Sequence, residues 1–251
     1  MEPENDYLSL SDINEDSLPH IFNINSLKTP VFSCKLKKNN QSIVVKKMNK
    51  NFNFGRDAML CYYVKSMLGM NVPKMARLIN INFEFNKSTL KLVKSIDYYP
   101  AFISDDISQY NDIKDLRMTH CIVRQYISFN SYEGRRSLCE IIIFRALMGV
   151  TDTNMSNIII DDNNKLYSID ENFVGTYSAE KVLNSSGVQT ILRKIGKNNN
   201  NKIEWPSWIT DKNYFKKIVS FNNERFQGYC KIREDNWDYL YNLYKLERIK
   251  Y

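Results

Sequence analysis

The stretch at residues 147–175 restricts the fold of this chain more than any other part of the sequence. Within it, a polar cluster at residues 151–157 follows an apolar run, and three isoleucines at 158–160 come directly afterwards. The composition of residues 161–164 (Asp-Asp-Asn-Asn) is typical of a turn, and a second apolar stretch then ends at Asp170. Short apolar runs on either side of turn residues indicate two strands, so the sequence predicts a β-hairpin here.

The predicted hairpin would gather oxygen-bearing side chains. Asp152 and Asn157 precede its first strand, and Asp170 ends its second strand. Two carboxylates and one amide oxygen are hard ligands of the kind that Mg²⁺ prefers, and protein-bound Mg²⁺ commonly shares such ligands with phosphate oxygens. The pattern therefore indicates a magnesium site and phosphoryl transfer. The alternative is that Asp152 and Asn157 only stabilise turns, which Asp and Asn favour in any case.

The charge of the chain agrees with a phosphate-bearing partner without identifying one. The formal net charge is +7, and a positive balance favours nucleotides, nucleic acids or anionic lipids. The order of the basic residues shows no interleaving with surface aromatics, which a single-stranded nucleic-acid binder needs, so a nucleic-acid partner is not favoured. The longest apolar run, near residues 141–150, contains Arg145 and is too short to cross a bilayer. We therefore expect no transmembrane segment.

Cysteine and histidine usage argues against two other classes of site. The five cysteines lie far apart, none has the Cys-x-x-Cys spacing, and their number is odd. This usage predicts reduced thiols and a cytoplasmic, reducing compartment. Only two histidines occur, His20 and His120, so neither a zinc centre nor a Ser-His-Asp triad is expected.

The order of predicted elements divides the chain into a strand-rich first half and a helix-rich second half. Residues 1–25 are predicted to form a polar arm that is extended or loosely docked. The other elements predicted in this half are a hairpin at 31–48, a helix at 56–68, strands at 76–85 and 88–95, a loop or weak helix at 98–115, and a strand at 120–127.

The second half begins with a polar segment at residues 128–134, which we expect to act as a hinge. An apolar helix is predicted at 138–147, before the hairpin described above. Few signals follow until Trp205 and Trp208, which are expected to lie in the core. A terminal helix is predicted at 235–249 from the helical spacing of its apolar residues.

Two segments carry a resemblance to a known family. The sequence Gly149-Val-Thr-Asp152-Thr-Asn-Met-Ser-Asn157, with the later Ile169-Asp170 pair, resembles the catalytic and metal-binding segments of protein-kinase-like enzymes. The similarity is to the atypical branch that contains phosphatidylinositol kinases and actin-fragmin kinase. That branch typically shows Gly-Ile/Val-x-Asp-Arg-His-x-x-Asn followed by Ile-Asp, and the spacings agree, with 157 − 152 = 5 and 170 − 157 = 13.

The upstream half of the chain adds a second match. Ile43-Val-Val-Lys46 is similar to the strand that carries the phosphate-binding lysine, and Arg56-Asp57-Ala-Met-Leu60 resembles the start of the helix that follows it. The matching motifs cover residues 31–175 in the expected order. A shift of one position in the strand would replace Lys46 by Lys47, on the opposite face.

The resemblance implies an α+β, two-lobed protein-kinase-like fold with a nucleotide cleft between the lobes. Residues 26–127 would form a strand-rich N-lobe and residues 128–251 a helix-rich C-lobe. The implied function is an ATP-dependent kinase that transfers the γ-phosphoryl group to a hydroxyl, and the favoured acceptor is the hydroxyl of a protein Ser or Thr. A lipid or small-molecule kinase, with an anionic lipid as one substrate, is an alternative, and a pseudokinase that binds nucleotides or partners is another.

The same resemblance implies a role for each matched residue. Asp152 would accept or orient the proton of the attacking hydroxyl, and Asn157 and Asp170 would hold Mg²⁺ against the phosphates of ATP. Lys46 would pair with phosphate oxygens, and Asp57 would orient it unless Asp57 only caps its helix. The residues assigned to nucleotide binding are Lys46, Asp57, Gln125 and Tyr126.

The chain departs from the family pattern at two places. Thr153-Asn154 replaces the usual Arg-His, and Asp170-Glu171-Asn172 replaces Asp-Phe-Gly. These changes favour the pseudokinase alternative, whereas the presence of Asp152, Asn157 and Asp170 together favours an active enzyme.

Overall fold

The computed structural model divides the chain into two compact units. The first comprises Met1–Met59 and Pro73–Gln109, and the second Leu60–Val72 and Tyr110–Tyr251. The residues that the structure describes are 7–14, 20–21, 31–48, 53–86, 88–106, 130–150, 157–161, 165–171, 173–198, 203–228 and 231–246. The boundaries predicted at residues 25 and 127 fall outside these ranges and stay predictions.

A six-stranded sheet forms the described part of the first unit. Its spatial order is β1-β5-β6-β4-β3-β2, and all neighbours are antiparallel except β1 and β5. The strands are β1 (Tyr7–Leu8), β2 (His20–Ile21), β3 (Val31–Lys35), β4 (Ser42–Lys47), β5 (Ala76–Asn86) and β6 (Lys91–Asp105). The predicted hairpin at 31–48 is confirmed as β3 and β4.

One face of this sheet carries the hydrophobic core of the unit. Side chains alternate between faces along a strand, and Phe32, Ile43, Val45 and Phe83 on this face are fully buried. Ile13 packs in the same cluster. The segment predicted as a loosely docked polar arm is thus part of the sheet layer in its described residues, because it supplies β1, β2 and a buried apolar side chain.

Strand β6 extends through a segment that the sequence predicted as a loop or weak helix from residue 98. That prediction is wrong for residues 98–105, which belong to β6. The position of Pro100 in the sheet explains how the strand can continue through a proline. Ala101 pairs with Lys47, the last residue of β4, and the carbonyl of Pro100 accepts a hydrogen bond from the Met48 N–H at 2.9 Å. In an antiparallel strand, the N–H and C=O of one residue point towards the same neighbouring strand. The N–H that Pro100 lacks would therefore point towards the chain just beyond Lys47, where β4 has already ended.

Helix α1 (Asn53–Met67) confirms the helix predicted at 56–68 and begins three residues earlier. Gly55 packs against the side chain of Leu78, because a Cβ added at Gly55 would lie only 2.6 Å from a Leu78 methyl carbon. The start of α1 therefore lies on the sheet face that carries Leu78, opposite the core cluster. The division into units falls inside this helix, between Met59 and Leu60.

The second unit is built around helix α2 (Tyr132–Met148), whose residues Ile142, Ile143 and Phe144 are almost completely buried. Ser131 caps its start by accepting a hydrogen bond from the Gly134 N–H at 3.0 Å. The hinge predicted at 128–134 is therefore helical from Tyr132. Gly149 ends the helix with a φ of 63°, and a Cβ there would lie 2.5 Å from the Tyr177 carbonyl oxygen, so the position requires glycine.

A two-stranded antiparallel sheet, four further α-helices and a 3₁₀ helix (Ser207–Thr210) complete the described part of this unit. The predicted β-hairpin and terminal helix are confirmed, whereas the helices between residues 179 and 226 were not individually predicted. The elements are β7 (Ile158–Ile160), β8 (Leu166–Ser168), α3 (Ala179–Leu183), α4 (Ser186–Asn198), α5 (Lys212–Phe226) and α6 (Glu234–Lys245).

Together, these elements confirm the predicted α+β class, with strands concentrated in the first unit and helices in the second. Trp208 is buried, as expected of a core residue, whereas Trp205 is only partly buried. In the ranges that the structure describes, no helix is both long enough and apolar enough to cross a membrane.

Candidate active site

The hairpin of β7 and β8 brings two of the predicted site residues to the same end of one small sheet. Ile158 pairs with Ser168, and the Ile169 N–H then donates to the Asn157 carbonyl oxygen at 2.9 Å. The ladder thus continues one step beyond the two strands. Because Asp170 follows Ile169 directly, Asn157 and Asp170 lie at the same end of the hairpin.

Asn157 is buried with an unusual hydrogen-bonding state. Its relative exposure is 9%, yet its side-chain amide nitrogen has no hydrogen-bond partner among the described residues. Leaving a buried polar group unsatisfied costs about 1–3 kcal/mol, and such groups are uncommon in folded proteins. The amide nitrogen of Asn157 is therefore a buried donor that the described contacts leave unused.

Asp170 has a strained backbone. Its φ of 59° lies in the left-handed region, which is sparsely populated by residues other than glycine, although Asp and Asn tolerate it better than most. Phe173 shares this conformation, with the same φ of 59°. Strained backbone of this kind clusters at functional sites, where the surrounding structure holds it in place.

Arg145 of α2 clamps the end of the hairpin where these residues lie. The side chain is 2% exposed, and its Nε donates to the Ser168 hydroxyl at 2.8 Å. Its Nη2 donates to the carbonyl oxygens of Asn157 and Ile169, each at 3.0 Å. One guanidinium group therefore holds the start of β7 and the end of β8 together.

A buried ion pair lies directly beside Asp170. The Lys65 Nζ of α1 contacts the two carboxylate oxygens of Glu171 at 2.9 and 3.0 Å and donates to the Ser168 carbonyl oxygen at 2.6 Å. Burial alone would raise the pKa of Glu171, but the positive charges of Lys65 and Arg145 outweigh it and hold the pKa below its ordinary value. Glu171 is therefore ionised at neutral pH.

Sequence reasoning did not identify Arg145, Lys65 or Glu171 as parts of this site. Arg145 drew attention only as an interruption of an apolar run, and Glu171 only as a departure from the family pattern. Both were usable signals, because a charge in an apolar helix needs a buried partner. Lys65 gave no local signal.

Lys46 and its neighbour Lys47 lie on opposite faces of β4. Lys46 pairs with Phe102, which also pairs with Leu78, so Lys46 shares the face on which the start of α1 packs. Lys47 forms a salt bridge with Glu84 at 3.2 Å, and its Nζ lies 3.9 Å from the centre of the Tyr99 ring. This register agrees with the assignment of Lys46, rather than Lys47, to phosphate binding.

Asp57 is the fifth residue of α1 and is 7% exposed. Because the helix begins at Asn53, the alternative that Asp57 caps the helix start is wrong. A buried carboxylate inside a helix needs a compensating partner, in agreement with a role in orienting a cation, and that role stays a prediction.

The remaining predicted residues lie outside the described parts of the chain. Asp152, Gln125 and Tyr126 are in this group, and their assignments stay predictions. In the described ranges, no three or more His, Cys, Asp or Glu side chains come together in a group that could hold a metal ion. The oxygen donors of Asn157 and Asp170 suit Mg²⁺ in chemical type.

Comparisons with known proteins give limited information. No protein-family model matches the chain, and no curated protein matches it. Among solved structures, the chain is similar to the crystal structure of a Helicobacter pylori proinflammatory kinase, CtkA, with 12% sequence identity and a TM-score of 0.42 over 97% of this chain and 94% of that chain.

Proposed function

We propose that this protein is an ATP-dependent phosphotransferase that uses Mg²⁺ at the end of the β7–β8 hairpin. One observation carries the proposal: the hairpin brings Asn157 and Asp170 to the same end of one small sheet, where the Ile169 N–H donates to the Asn157 carbonyl oxygen at 2.9 Å. The left-handed backbone of Asp170 supports it. This conformation is not explained by stability alone.

In the proposed mechanism, the chain acts mainly by placing charges. Asn157 and Asp170 would hold Mg²⁺, which when bound neutralises charge on the phosphate oxygens. Asp152 orients the acceptor hydroxyl and takes its proton as the hydroxyl oxygen bonds to the γ-phosphorus, while the bond from that phosphorus to the bridging oxygen breaks and ADP leaves. Lys46 binds phosphate oxygens and Asp57 orients Lys46, while Gln125 and Tyr126 contact the nucleotide.

The Asp170-Glu171-Asn172 sequence is compatible with activity. In the family pattern, the position of Glu171 is occupied by an apolar residue, and a carboxylate there could repel a phosphate group. Here Lys65 contacts both carboxylate oxygens of Glu171, so its charge is neutralised within the protein. The pseudokinase alternative therefore gains no support from this position.

We propose a protein hydroxyl as the acceptor, with a lipid as the alternative. Helix α4 has an exposed side with three basic residues, Arg193, Lys194 and Lys197. Recognition of anionic membrane lipids typically uses about four to eight basic residues in one cluster. The group on α4 is smaller, which favours a protein substrate.

Transfer of labelled phosphate from [γ-³²P]ATP tests the proposal. Incubation with Mg²⁺ is expected to label the protein itself or a generic protein acceptor, and Asp152→Asn or Asp170→Asn should lower the rate by about a hundredfold or more. Asn is the right substitution at residue 170 because it tolerates the left-handed backbone. Lys212→Met, at an exposed pair on α5, serves as the control. Equal rates for the parent and both Asp variants would contradict the proposal.

A further inference from the structure

We propose that Lys65 and Glu171 are positioning residues that fix Asp170 in the geometry needed to bind a divalent cation. The proposal rests on the proposed function and adds residues that the family resemblance does not supply. It concerns contacts within the second unit alone.

Lys65 holds the chain on both sides of Asp170. Its Nζ binds the Ser168 carbonyl oxygen, two residues before Asp170, at 2.6 Å, and the Glu171 carboxylate, one residue after it, at 2.9 and 3.0 Å. An ammonium group has three N–H donors, and three protein oxygens surround this one. The segment from Ser168 to Glu171 is therefore attached to α1 at both ends.

A second cation holds the same segment from another helix. Arg145 of α2 binds the Ser168 hydroxyl at 2.8 Å and the Ile169 carbonyl oxygen at 3.0 Å. The residues immediately before and after Asp170 are thus fixed by side chains of α2 and α1. The left-handed conformation of Asp170, with a φ of 59°, persists only where surrounding contacts determine it, and these are such contacts.

Stability alone is a poor explanation for the Lys65–Glu171 pair. The side chains are 4% and 3% exposed, and removing two charges from water offsets much of the attraction between them. Replacing a buried ion pair by apolar residues of similar size is often neutral or stabilising. Groups that orient a metal ligand have a different purpose, and their loss typically weakens metal binding by about 10–100-fold.

Binding of Mn²⁺ in the presence of ADP, followed by electron paramagnetic resonance, tests the proposal without measuring catalysis. The variants are Lys65→Met, Glu171→Gln and the double variant, in which the charge of both partners is absent. We expect Lys65→Met to raise the Kd for Mn²⁺ by about tenfold or more. ADP binding without metal should stay unchanged, and the double variant should bind Mn²⁺ no more weakly than Lys65→Met, since the two residues act as one unit.

Two controls separate positioning from loss of stability. Lys212→Met with Glu234→Gln removes an exposed ion pair, 3.0 Å long, between α5 and α6, and should leave Mn²⁺ binding unchanged. Ile218→Ala, in the buried part of α5, should lower Tm without changing the Kd for Mn²⁺. If Lys65→Met does not fold, Glu171→Gln decides the question, because it keeps the side-chain volume and one acceptor oxygen.

The outcomes distinguish this inference from the proposed function. If the parent binds Mn²⁺ with ADP and the folded variants bind it equally well, the positioning role is wrong while the proposed function stands. If the parent itself does not bind Mn²⁺ with ADP, the proposed function fails and the positioning role fails with it. If the parent binds Mn²⁺ with ADP and only the Lys65 and Glu171 variants show a raised Kd for Mn²⁺, both the positioning role and the proposed function are supported.

Discussion

At the scale of single residues, strand register determines the different surroundings of two adjacent lysines, Lys46 and Lys47. Lys47 forms a salt bridge with Glu84 and a cation–π contact with the Tyr99 ring, whereas Lys46 lies on the opposite face of β4. We expect Lys46→Ala to weaken ATP binding by about tenfold, roughly the value of one charge-assisted contact, and Lys47→Ala to have little effect. Isothermal titration with Mg-ATP measures both. A larger loss in Lys47→Ala would assign the phosphate contact to the other lysine.

Residues of the site differ in how far the sequence could predict them. The location of Asn157 and Asp170 at one end of a hairpin was predictable because a turn of four polar residues and two apolar runs determine that hairpin. Lys65 was not, because its contact with Glu171 spans 106 positions. Two residues so far apart in the sequence produce no periodic pattern. Only the burial of Glu171 indicates that a cation must lie beside it.

At the scale of secondary-structure elements, the end of α5 offers a test of local strain. The helix stops at Gln227, an exposed residue with a φ of 54°. Glycine adopts this conformation without steric cost and is the preferred residue just beyond a helix end. We expect Gln227→Gly to raise the free energy of unfolding by about 0.5–1 kcal/mol, net of the entropy that glycine loses on folding.

Urea denaturation provides the measurement for this helix end. The matched variant is Gln227→Ala, which removes the same polar group but keeps the Cβ, and it should show no such gain. If Gln227→Gly were no more stable than Gln227→Ala, strain at this position would not limit stability.

Most elements with unbroken local signals were predicted correctly, but helix α4 was missed despite its signal, and strand β6, which depends on a neighbouring strand, was predicted too short. The hairpin of β3 and β4 follows from two apolar strands and a turn of polar residues. The prediction for strand β6 stopped before Pro100 because proline normally interrupts a strand. The sheet tolerates a proline at this position only because the neighbouring strand β4 ends beside it. Helix α4 did carry a signal, since Val188, Ile191, Leu192 and Ile195 recur at helical spacing and are all buried.

At the scale of the whole molecule, composition and element order were enough for the α+β class and for the change from strands to helices along the chain. They could not reveal that residues before β3 contribute strands to the sheet, because β1 pairs in parallel with the distant β5, with Tyr7 opposite Asn80. Long-range pairing of short strands depends on the complete sheet rather than on the two strands themselves.

We propose above all that Asn157 and Asp170 form a divalent-cation site for ATP. The most direct measurement is the Tm of the parent and of Asp170→Asn with ATP, in the presence and absence of Mg²⁺. At ATP concentrations about a hundredfold above Kd, binding stabilises by about 2.7 kcal/mol, or about 5–10 °C for a chain of this size. We expect the full shift in the parent with Mg²⁺, a clearly smaller one without Mg²⁺, and a much smaller one than the parent's in Asp170→Asn with Mg²⁺. Equal shifts in both proteins, or no shift in the parent at millimolar Mg-ATP, would contradict it.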